Sequence, residues 1–239
     1  MPGQPAHGTL YLVPVPLGDS GIDFVLPSAV VSVVRGLRHF VVEHPKTARH
    51  FLKQIGTDAP LQSLQLEVLD EHTSANRLLP LLKPLLDGVD VGLISEAGCP
   101  AVADPGATLV ALAQNQGITV RPLVGPSSIL LALMASGLDG QRFAFHGYLP
   151  ADKAGRAKRV AELEKNSARQ RQTQIFIETP YRNNVLLADL LATLNPATRL
   201  CLATDLTLPS EAVRTLPVAA WRKSVPDLNK RPTVFLLLA

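Results

Sequence analysis

The residues best placed to do chemistry in this chain lie in short loops rich in proline, glycine and other small residues. The clearest is Leu93–Gly106, LISEAGCPAVADPG, where an apolar run stops and two carboxylates, a cysteine and two prolines follow. Proline stiffens a loop, and small residues let a ligand approach the backbone. Such a loop binds through main-chain groups, which suits a flat ligand of several parts such as a nucleoside. An ordinary strand–helix turn would have the same composition, so both interpretations stay open.

Well-known cofactor and metal motifs do not occur in the sequence. It has no G-x-G-x-x-G and no G-x-x-x-x-G-K-S/T, so a standard NAD-binding Rossmann site and a P-loop are both unsupported. The six histidines have no zinc-type spacing, and Cys99 and Cys201 do not form C-x-x-C, so no metal is expected. Cys99 could be a nucleophile, but a small residue that fits a tight loop explains it more simply.

The composition is that of a globular protein. Of 239 residues, 46% are hydrophobic and 18% charged, which fits one large or two small domains. The net charge of +3 permits an anionic substrate without requiring one. Two cysteines indicate a reducing compartment, Met1–His7 lacks a signal-peptide pattern, and the longest apolar run, Ile129–Ala135, is too short to span a bilayer. A cytoplasmic protein without a membrane partner is expected.

The order of elements predicts an α/β protein. Strands in the first half are predicted at Thr9–Val15, Phe40–Val42, Leu66–Leu69, Val91–Ile94 and Thr119–Leu123. Helices between these apolar strands, including Ala75–Leu86, indicate a parallel sheet. Strands in the second half are predicted at Arg142–Gly147, Gln174–Ile177, Arg199–Thr204 and Thr233–Leu238. They indicate a second, mixed-sheet domain, with domains at 8–121 and 126–239 and a hinge at Arg121–Pro126.

Seven segments in this order resemble the tetrapyrrole methylase superfamily, the class III S-adenosylmethionine-dependent methyltransferases. They are GTLYLVPVPLGD, EHPKTARHFL, LISEAGCPAVADPG, RPLVGPSSILLALMASGL, FHGYLP, FIETPYR and ATDLT. The resemblance runs from about Gly8 to Ala239. It is closest to the branch that methylates a cytidine 2′-hydroxyl in small-subunit ribosomal RNA. It implies two α/β domains, a parallel-sheet N-terminal one and a mixed-sheet C-terminal one, with S-adenosylmethionine in the cleft between them, usually in a homodimer.

The resemblance also assigns cofactor contacts. One loop would hold the methionine part of S-adenosylmethionine through backbone groups, two hinge hydroxyls would contact it, and a proline would lie at the cleft floor. These positions are Gly98, Cys99, Pro100, Ala101 and Val102 in the loop, Ser127 and Ser128 at the hinge, and Pro14 in the first-strand loop.

The adenosine contacts that the resemblance implies lie in the second domain. They would sandwich the adenosine or lie beside the adenine at the start of the last strand. These positions are Ile177, Thr179, Ala203, Pro232 and Thr233.

Departures from the branch concentrate where substrate should bind. Glu43–Lys46 reads Glu-His-Pro-Lys where the branch has Glu-Asp-Thr-Arg, and Asp70–Thr73 replaces its His-Glu-His-Asn. Thr204–Leu208 replaces Arg-Glu-Leu-Thr-Lys and so loses two cations that could contact phosphate, whereas Glu178–Arg182 is nearly intact. Three functions stay open: methylation of a ribosomal RNA ribose, methylation of a small molecule such as a tetrapyrrole, or binding of S-adenosylmethionine without catalysis.

A hydroxyl nucleophile needs a proton acceptor or strong orientation. Glu43 and Glu178 are the candidate catalytic residues, and Glu71 and His72 are further possible acceptors. The candidate substrate-binding residues are Lys46, Arg49, His72 and Arg182. For each of these residues, an ordinary surface or hydrogen-bonding role is the alternative.

A basic stretch follows the segment GYLP. From Asp152 to Arg182 there are eight Lys or Arg residues against four Asp or Glu. The cations nearest GYLP, which could line an RNA groove or belong to a solvated helix, are Lys153, Arg156, Lys158 and Arg159.

Overall fold

Short apolar strands that alternate with helices build two separate sheets. The computed structural model of the protein describes residues 7–70 and 72–239. The chain divides into two compact units, one ending at Ser127 and the other beginning at Ser128. Each unit contains one five-stranded sheet with helices packed on it.

The first unit contains an all-parallel sheet, as the sequence predicts. Its strands are β1 (Thr9–Val13), β2 (His39–Val42), β3 (Gln65–Val68), β4 (Val91–Ile94) and β5 (Thr119–Pro122). Their order is β3-β2-β4-β1-β5. All four residues of β4 are buried, which explains why this central strand is apolar throughout.

Helices cover both faces of the parallel sheet. They are α1 (Ile22–Val25), α2 (Ser28–Gly36), α3 (Pro45–Ile55), α4 (Ala75–Leu86) and α5 (Gly106–Asn115), with a 3₁₀ turn at Leu61–Ser63. One apolar cluster joins α2 and α3 to one face through Val34 and Leu52, and another joins α4 and α5 to the other through Leu82 and Leu109. The carboxyl ends of the strands are left to the connecting loops.

The second unit contains a mixed sheet, which confirms the expected fold class. Its strands are β6 (Phe143–Tyr148), β7 (Thr173–Ile177), β8 (Arg199–Thr204), β9 (Ala212–Pro217) and β10 (Thr233–Leu238). The order is β6-β7-β10-β8-β9, with β6 and β7 parallel and the other pairs antiparallel. The sequence analysis missed β9, whose partly exposed residues suit an edge strand but carry little hydrophobic signal.

Four helices flank the mixed sheet: α6 (Ser128–Ser136), α7 (Lys153–Gln170), α8 (Asn183–Thr193) and α9 (Val218–Trp221). Side chains of α7, α8 and α9 pack with Phe176 and Phe235, whose rings stack with centroids 5.9 Å apart. Helix α6 contacts β8, β9 and β10, and the Thr215 hydroxyl donates a hydrogen bond to the Ser136 carbonyl over 2.6 Å.

Arg156 ties α7 to α8. The residue is only 4% exposed, and its Nε donates to Asp189 Oδ2 over 2.7 Å. Its Nη1 donates to the carbonyls of Pro150 and Ala151. Both interpretations offered for Arg156, an RNA groove or a solvated helix face, are therefore wrong, because the guanidinium is buried and fully used inside the unit.

His146 on β6 is held as a neutral imidazole. The Arg159 guanidinium is only a donor, so His146 Nδ1 accepts its hydrogen bond (3.2 Å) and Nε2 carries the hydrogen that Gln174 Oε1 accepts (2.7 Å). Burial lowers the pKa of His146, the nearby Arg159 cation lowers it further, and the Gln174 hydrogen bond opposes the shift.

The lowered pKa of His146 makes stability depend on pH. Because the unfolded chain takes up the proton more readily, this residue's contribution is present above about pH 6.5, the unfolded value, and is lost as pH falls through the folded value. When the pH is lowered from 7.5 to 5.5, we expect the melting temperature of His146→Gln to fall less than that of the wild type. Equal losses in the two proteins would contradict this assignment.

Candidate functional site

The loops after β1, β2 and β4 meet at the carboxyl edge of the parallel sheet, where ligands bind in α/β folds. The Val15 N–H donates to the Gly98 carbonyl over 2.9 Å, and the Gly98 N–H donates back to Val15 over 3.1 Å. The Glu43 N–H donates to the Ile94 carbonyl over 3.3 Å. The fold therefore brings together residues that lie far apart in the sequence.

The loop after β4 has unusual backbone geometry. Gly98 has φ +74°, and two alanines also lie in the left-handed region, Ala101 at φ +64° and Ala103 at φ +62°. For a non-glycine residue this conformation costs on the order of 1–3 kcal/mol, and it persists only where the surroundings enforce it. Strained residues of this kind concentrate at ligand sites, and the alanines add only a methyl group where the backbone turns.

Asp104 enforces the loop conformation. Its two carboxylate oxygens accept hydrogen bonds from the Ala101 N–H over 2.8 and 2.9 Å, and Oδ1 accepts one from the Gly106 N–H over 2.7 Å. A Cβ on Gly106 would lie 2.9 Å from that oxygen, so glycine is needed there. Burial raises the pKa of Asp104, and the Gly106 and Ala101 donors oppose the rise.

Glu96 also braces the loop. Its Oε1 accepts a hydrogen bond from the Thr47 hydroxyl in the first turn of α3, over 2.5 Å. Together with Asp104, Glu96 therefore shapes the loop.

Removal of the Asp104 carboxylate should loosen the loop. In Asp104→Ala the Ala101 and Gly106 N–H groups lose their acceptor, which we expect to lower the free energy of unfolding by about 2 kcal/mol. Asp104→Asn keeps one acceptor oxygen and should lose about half of that. Urea denaturation measures both changes, and equal stability of the two variants would contradict this role.

Cys99 and Pro14 pack against the segment that precedes the second unit. The Cys99 thiol lies 3.4 Å from the Pro126 carbonyl and donates to it. A Cβ on Gly125 would lie 2.3 Å from Pro14 Cγ, so the Pro14 ring packs directly against the Gly125 backbone. Burial raises the pKa of the Cys99 thiol, which makes a nucleophilic thiolate unfavourable. Pro14, the loop and Ser127, which follows Pro126, are thus brought together.

A small pocket of about 10 Å³ lies at the same edge. Its walls are mostly apolar, and both Glu43 and Asp104 contribute to them. The lining residues are Glu43, Leu69, Leu93, Ile94, Ser95, Pro100, Asp104, Pro105 and Gly106. That volume is about enough for one water molecule, so the pocket marks where the loops converge and is too small to hold a cofactor by itself.

In the second unit, two of the predicted adenosine contacts share one row of the mixed sheet. Val234 pairs with Ile177 on one side and with Ala203 on the other. Directly paired residues present their side chains on the same face, so the three form an apolar strip. Val234 was missed, although strand alternation could have identified it. Thr233 is one residue earlier, so its side chain lies on the opposite face and donates to the Arg231 carbonyl over 3.0 Å.

Glu178 holds the loop after β7. Its Oε2 lies 2.9 Å from an Arg182 Nη2, and its Oε1 accepts the Thr179 N–H over 2.8 Å. The Arg182 N–H also donates to the Thr179 carbonyl. Glu178 is buried, while the Arg182 side chain is 40% exposed. Because both oxygens of Glu178 are occupied, the arrangement orients Arg182 and leaves it accessible.

The chain matches the family model described as "Tetrapyrrole (Corrin/Porphyrin) Methylases" over residues 9–220. It belongs to the tetrapyrrole methylase family. This membership confirms the expected enzyme class, a methyltransferase that uses S-adenosylmethionine.

Two relatives of this methylase carry the name ribosomal RNA small subunit methyltransferase I. The one from Pseudomonas aeruginosa is 34% identical over 212 residues, which cover 89% of this chain and 71% of the relative. The one from Escherichia coli O157:H7 is 31% identical over 236 residues, which cover 98% of this chain and 78% of the relative. The crystal structure of diphthine synthase superimposes with a TM-score of 0.67 at 15% identity over 97% of this chain and 90% of its own, which shows a shared fold.

The residues of this methylase fit S-adenosylmethionine. Small residues and left-handed turns from Gly98 to Ala103 let a ligand reach the main chain, as the methionine part of the cofactor would require. In the apolar strip, Ile177 is half-buried, whereas Val234 and Ala203 are buried.

The mixed sheet has a further ion pair that the sequence analysis missed. Asp205, at φ +51°, accepts hydrogen bonds from Arg231 Nε over 2.8 Å and from the Ser210 hydroxyl over 2.9 Å. Asp205 lies where the ribosomal RNA branch has an acid between cations. Here the cation comes from a residue 26 positions later, and no sequence spacing signals such a pairing.

The remaining substrate candidates are exposed. Lys46 and Arg49 lie three residues apart on α3, so they are neighbours on its surface. His72 is exposed beside the Asp70 turn, and Glu71 lies outside the described residues. Within residues 7–70 and 72–239 no group of three His, Cys, Asp or Glu side chains could hold a metal ion. No helix in that part of the chain is long and apolar enough to cross a membrane.

Proposed function

We propose that this methylase transfers a methyl group from S-adenosylmethionine to a ribose 2′-hydroxyl of small-subunit ribosomal RNA. The observation that carries the proposal is the similarity, 31–34% identity over 89–98% of this chain, to relatives named for methylation of that RNA. The retained Glu178–Arg182 loop, with its accessible guanidinium, supports an anionic acceptor.

The reaction demands mainly positioning. Bound S-adenosylmethionine supplies a methyl group made electrophilic by the sulfonium. The backbone of Gly98–Val102, with Ser127 and Ser128, would hold its methionine part, and the second-unit contacts would hold its adenosine. Good orientation of two reactants is worth roughly 7–11 kcal/mol, so no side chain has to form a covalent bond.

The acceptor hydroxyl must lose a proton. Glu43 is half-buried at the carboxyl edge of the parallel sheet and lines the small pocket, so we assign it as the proton acceptor. Glu178 is assigned as a positioning residue for Arg182. Lys46, Arg49, His72 and Arg182 are the groups proposed to contact the substrate.

The two carboxylates should respond differently to substitution. We expect Glu43→Gln to lower kcat by about 100-fold or more and to remove its rise with pH, because the proton acceptor is gone. Glu178→Gln should raise KM more than it lowers kcat and should keep the pH profile. Steady-state assays from pH 6 to 9 test this. If only Glu178→Gln loses the rise of kcat with pH, then Glu178 is the proton acceptor and Glu43 is the positioning residue.

The acceptor is tested by incubating the purified protein with S-adenosylmethionine and small ribosomal subunits. We expect mass spectrometry of the nuclease digest to find a new 2′-O-methylated nucleoside. If the protein leaves the RNA unmodified but methylates a tetrapyrrole acid, the small-molecule alternative is favoured. If it binds S-adenosylmethionine but methylates neither the RNA nor the tetrapyrrole acid, a non-catalytic binding protein is favoured.

We further propose a cytoplasmic homodimer. The two free thiols, Cys99 and Cys201, support a reducing compartment. Leu130 and Met134 lie four residues apart on α6, and their side chains are 51% and 78% exposed, which supports burial against a second copy. Light scattering should give twice the monomer mass for the wild type and a lower mass for Met134→Lys.

A further inference from the structure

Helix α7 carries an exposed line of cations outside the site described above. Lys158, Lys165 and Arg169 all have exposed side chains. At 3.6 residues per turn, they lie within roughly 40° of one another around the helix axis and span about 16 Å along it. The buried residues Val160 and Ser167 lie on the opposite side of the helix. We call these three residues the α7 cation line.

Among the described residues, these three cations are exposed and unpaired with carboxylates, whereas two other cations of α7 are engaged within the unit. Arg156 is buried against Asp189, and Arg159 contacts His146 and lies 3.4 Å from Glu162 Oε2. Within the part of the chain that the structure describes, no carboxylate lies within ion-pair distance of Lys158, Lys165 or Arg169.

The nearby acids are already engaged. Asp152 caps α7 by accepting the Gly155 N–H, and Glu164 accepts hydrogen bonds from the Asn195 N–H and the Thr198 hydroxyl. Glu162, four residues after Lys158, contacts Arg159. The line therefore keeps its positive charge.

Ordinary helix stabilisation does not explain the line. Cations in the last turn interact favourably with the helix dipole, which accounts for Arg169, but Lys158 and Lys165 lie before that turn. Alanines flank the line on one side: Ala154, Ala161 and Ala168, all exposed. These small side chains leave room for a polymer backbone to approach.

We propose that the α7 cation line binds the phosphate backbone of the RNA substrate. The inference rests on the proposed function, because RNA is the polyanion that such an enzyme must hold. Phosphate contacts position an RNA without reading its sequence, so the line contributes affinity and register.

The test compares the salt dependence of RNA binding. The probe is a fluorescein-labelled single-stranded RNA of about 20 nucleotides, followed by anisotropy with the full-length protein. In Lys158→Gln/Lys165→Gln/Arg169→Gln we expect the slope of log K against log salt to fall by about 2, since each phosphate contact on single strands contributes about 0.7. Affinity at low salt should fall at least tenfold.

A matched variant separates a local site from net charge. Arg38→Gln/Arg199→Gln/Lys223→Gln removes the same charge from exposed positions outside α7 and should keep the wild-type slope. Glutamine is a good helix former, so the fold should persist, and melting temperatures check this. Equal slopes in the two triple variants would overturn the inference.

Two other outcomes are informative. If the wild type methylates ribosomal RNA and the α7 variant retains the wild-type slope and KM, the cation line fails and the proposed function stands. If the wild type binds no RNA, both fail together. Loss of binding to anionic lipid vesicles with unchanged RNA binding would overturn the assignment to RNA.

Discussion

Ala101→Val is expected to weaken S-adenosylmethionine binding by about 100-fold. Ala101 has φ +64°, and a β-branched side chain is a genuine outlier in that region. The free loop would relax to a negative φ, and binding would have to restore the strained turn. A strain of up to about 3 kcal/mol converts to roughly 100-fold in affinity. Isothermal titration calorimetry measures the loss.

Ala101→Gly is the matched control, because glycine adopts a positive φ without strain. We expect its affinity for S-adenosylmethionine to stay within a few-fold of the wild type. If the Ala101→Val and Ala101→Gly variants bind S-adenosylmethionine equally well, the backbone conformation of Ala101 does not determine cofactor affinity. Cys99→Asp should have only a modest effect, because the contacts assigned to this loop are main-chain contacts.

Arg156→Ala is expected to lower the free energy of unfolding by about 3–5 kcal/mol, the usual cost of leaving one member of a buried ion pair alone. Asp189 is only 9% exposed, and its carboxylate would lose the guanidinium. The carbonyls of Pro150 and Ala151 would lose their donor as well. Urea denaturation followed by circular dichroism measures the change.

The double variant Arg156→Met/Asp189→Leu tests the cause. Apolar residues of similar size replace both charges, so we expect most of the lost stability to return. A double variant as unstable as Arg156→Ala would show that packing, and not the uncompensated charge, dominates. Lys158→Ala, two residues away and exposed, should change stability by less than about 0.5 kcal/mol.

Much of the fold could be predicted because it follows from local patterns. The apolar strands Val91–Ile94 and Thr233–Leu238 have the predicted bounds, and so does the helix Ala75–Leu86 despite its two internal prolines. Strand β9 could not be predicted, because an edge strand with Arg214 and Pro217 buries too little to leave a pattern. Helix α9, with four residues, is too short for a periodic signal.

The candidate site also contains some features that could be predicted from the sequence and some that could not. The role of Asp104 could be predicted because its partners lie two and three residues away, inside one stiff loop. The Asp205–Arg231 pair could not, because tertiary structure alone brings the two residues together. The opposite orientation of Thr233 follows from strand alternation, which a resemblance between sequences does not express.

The most direct test of the central claim is to map 2′-O-methylated nucleotides in small-subunit ribosomal RNA from a strain that lacks this gene. We expect one ribose methylation to disappear in that strain, to return with the wild-type gene and not to return with Glu43→Gln. An unchanged methylation pattern in the deletion strain would contradict this expectation.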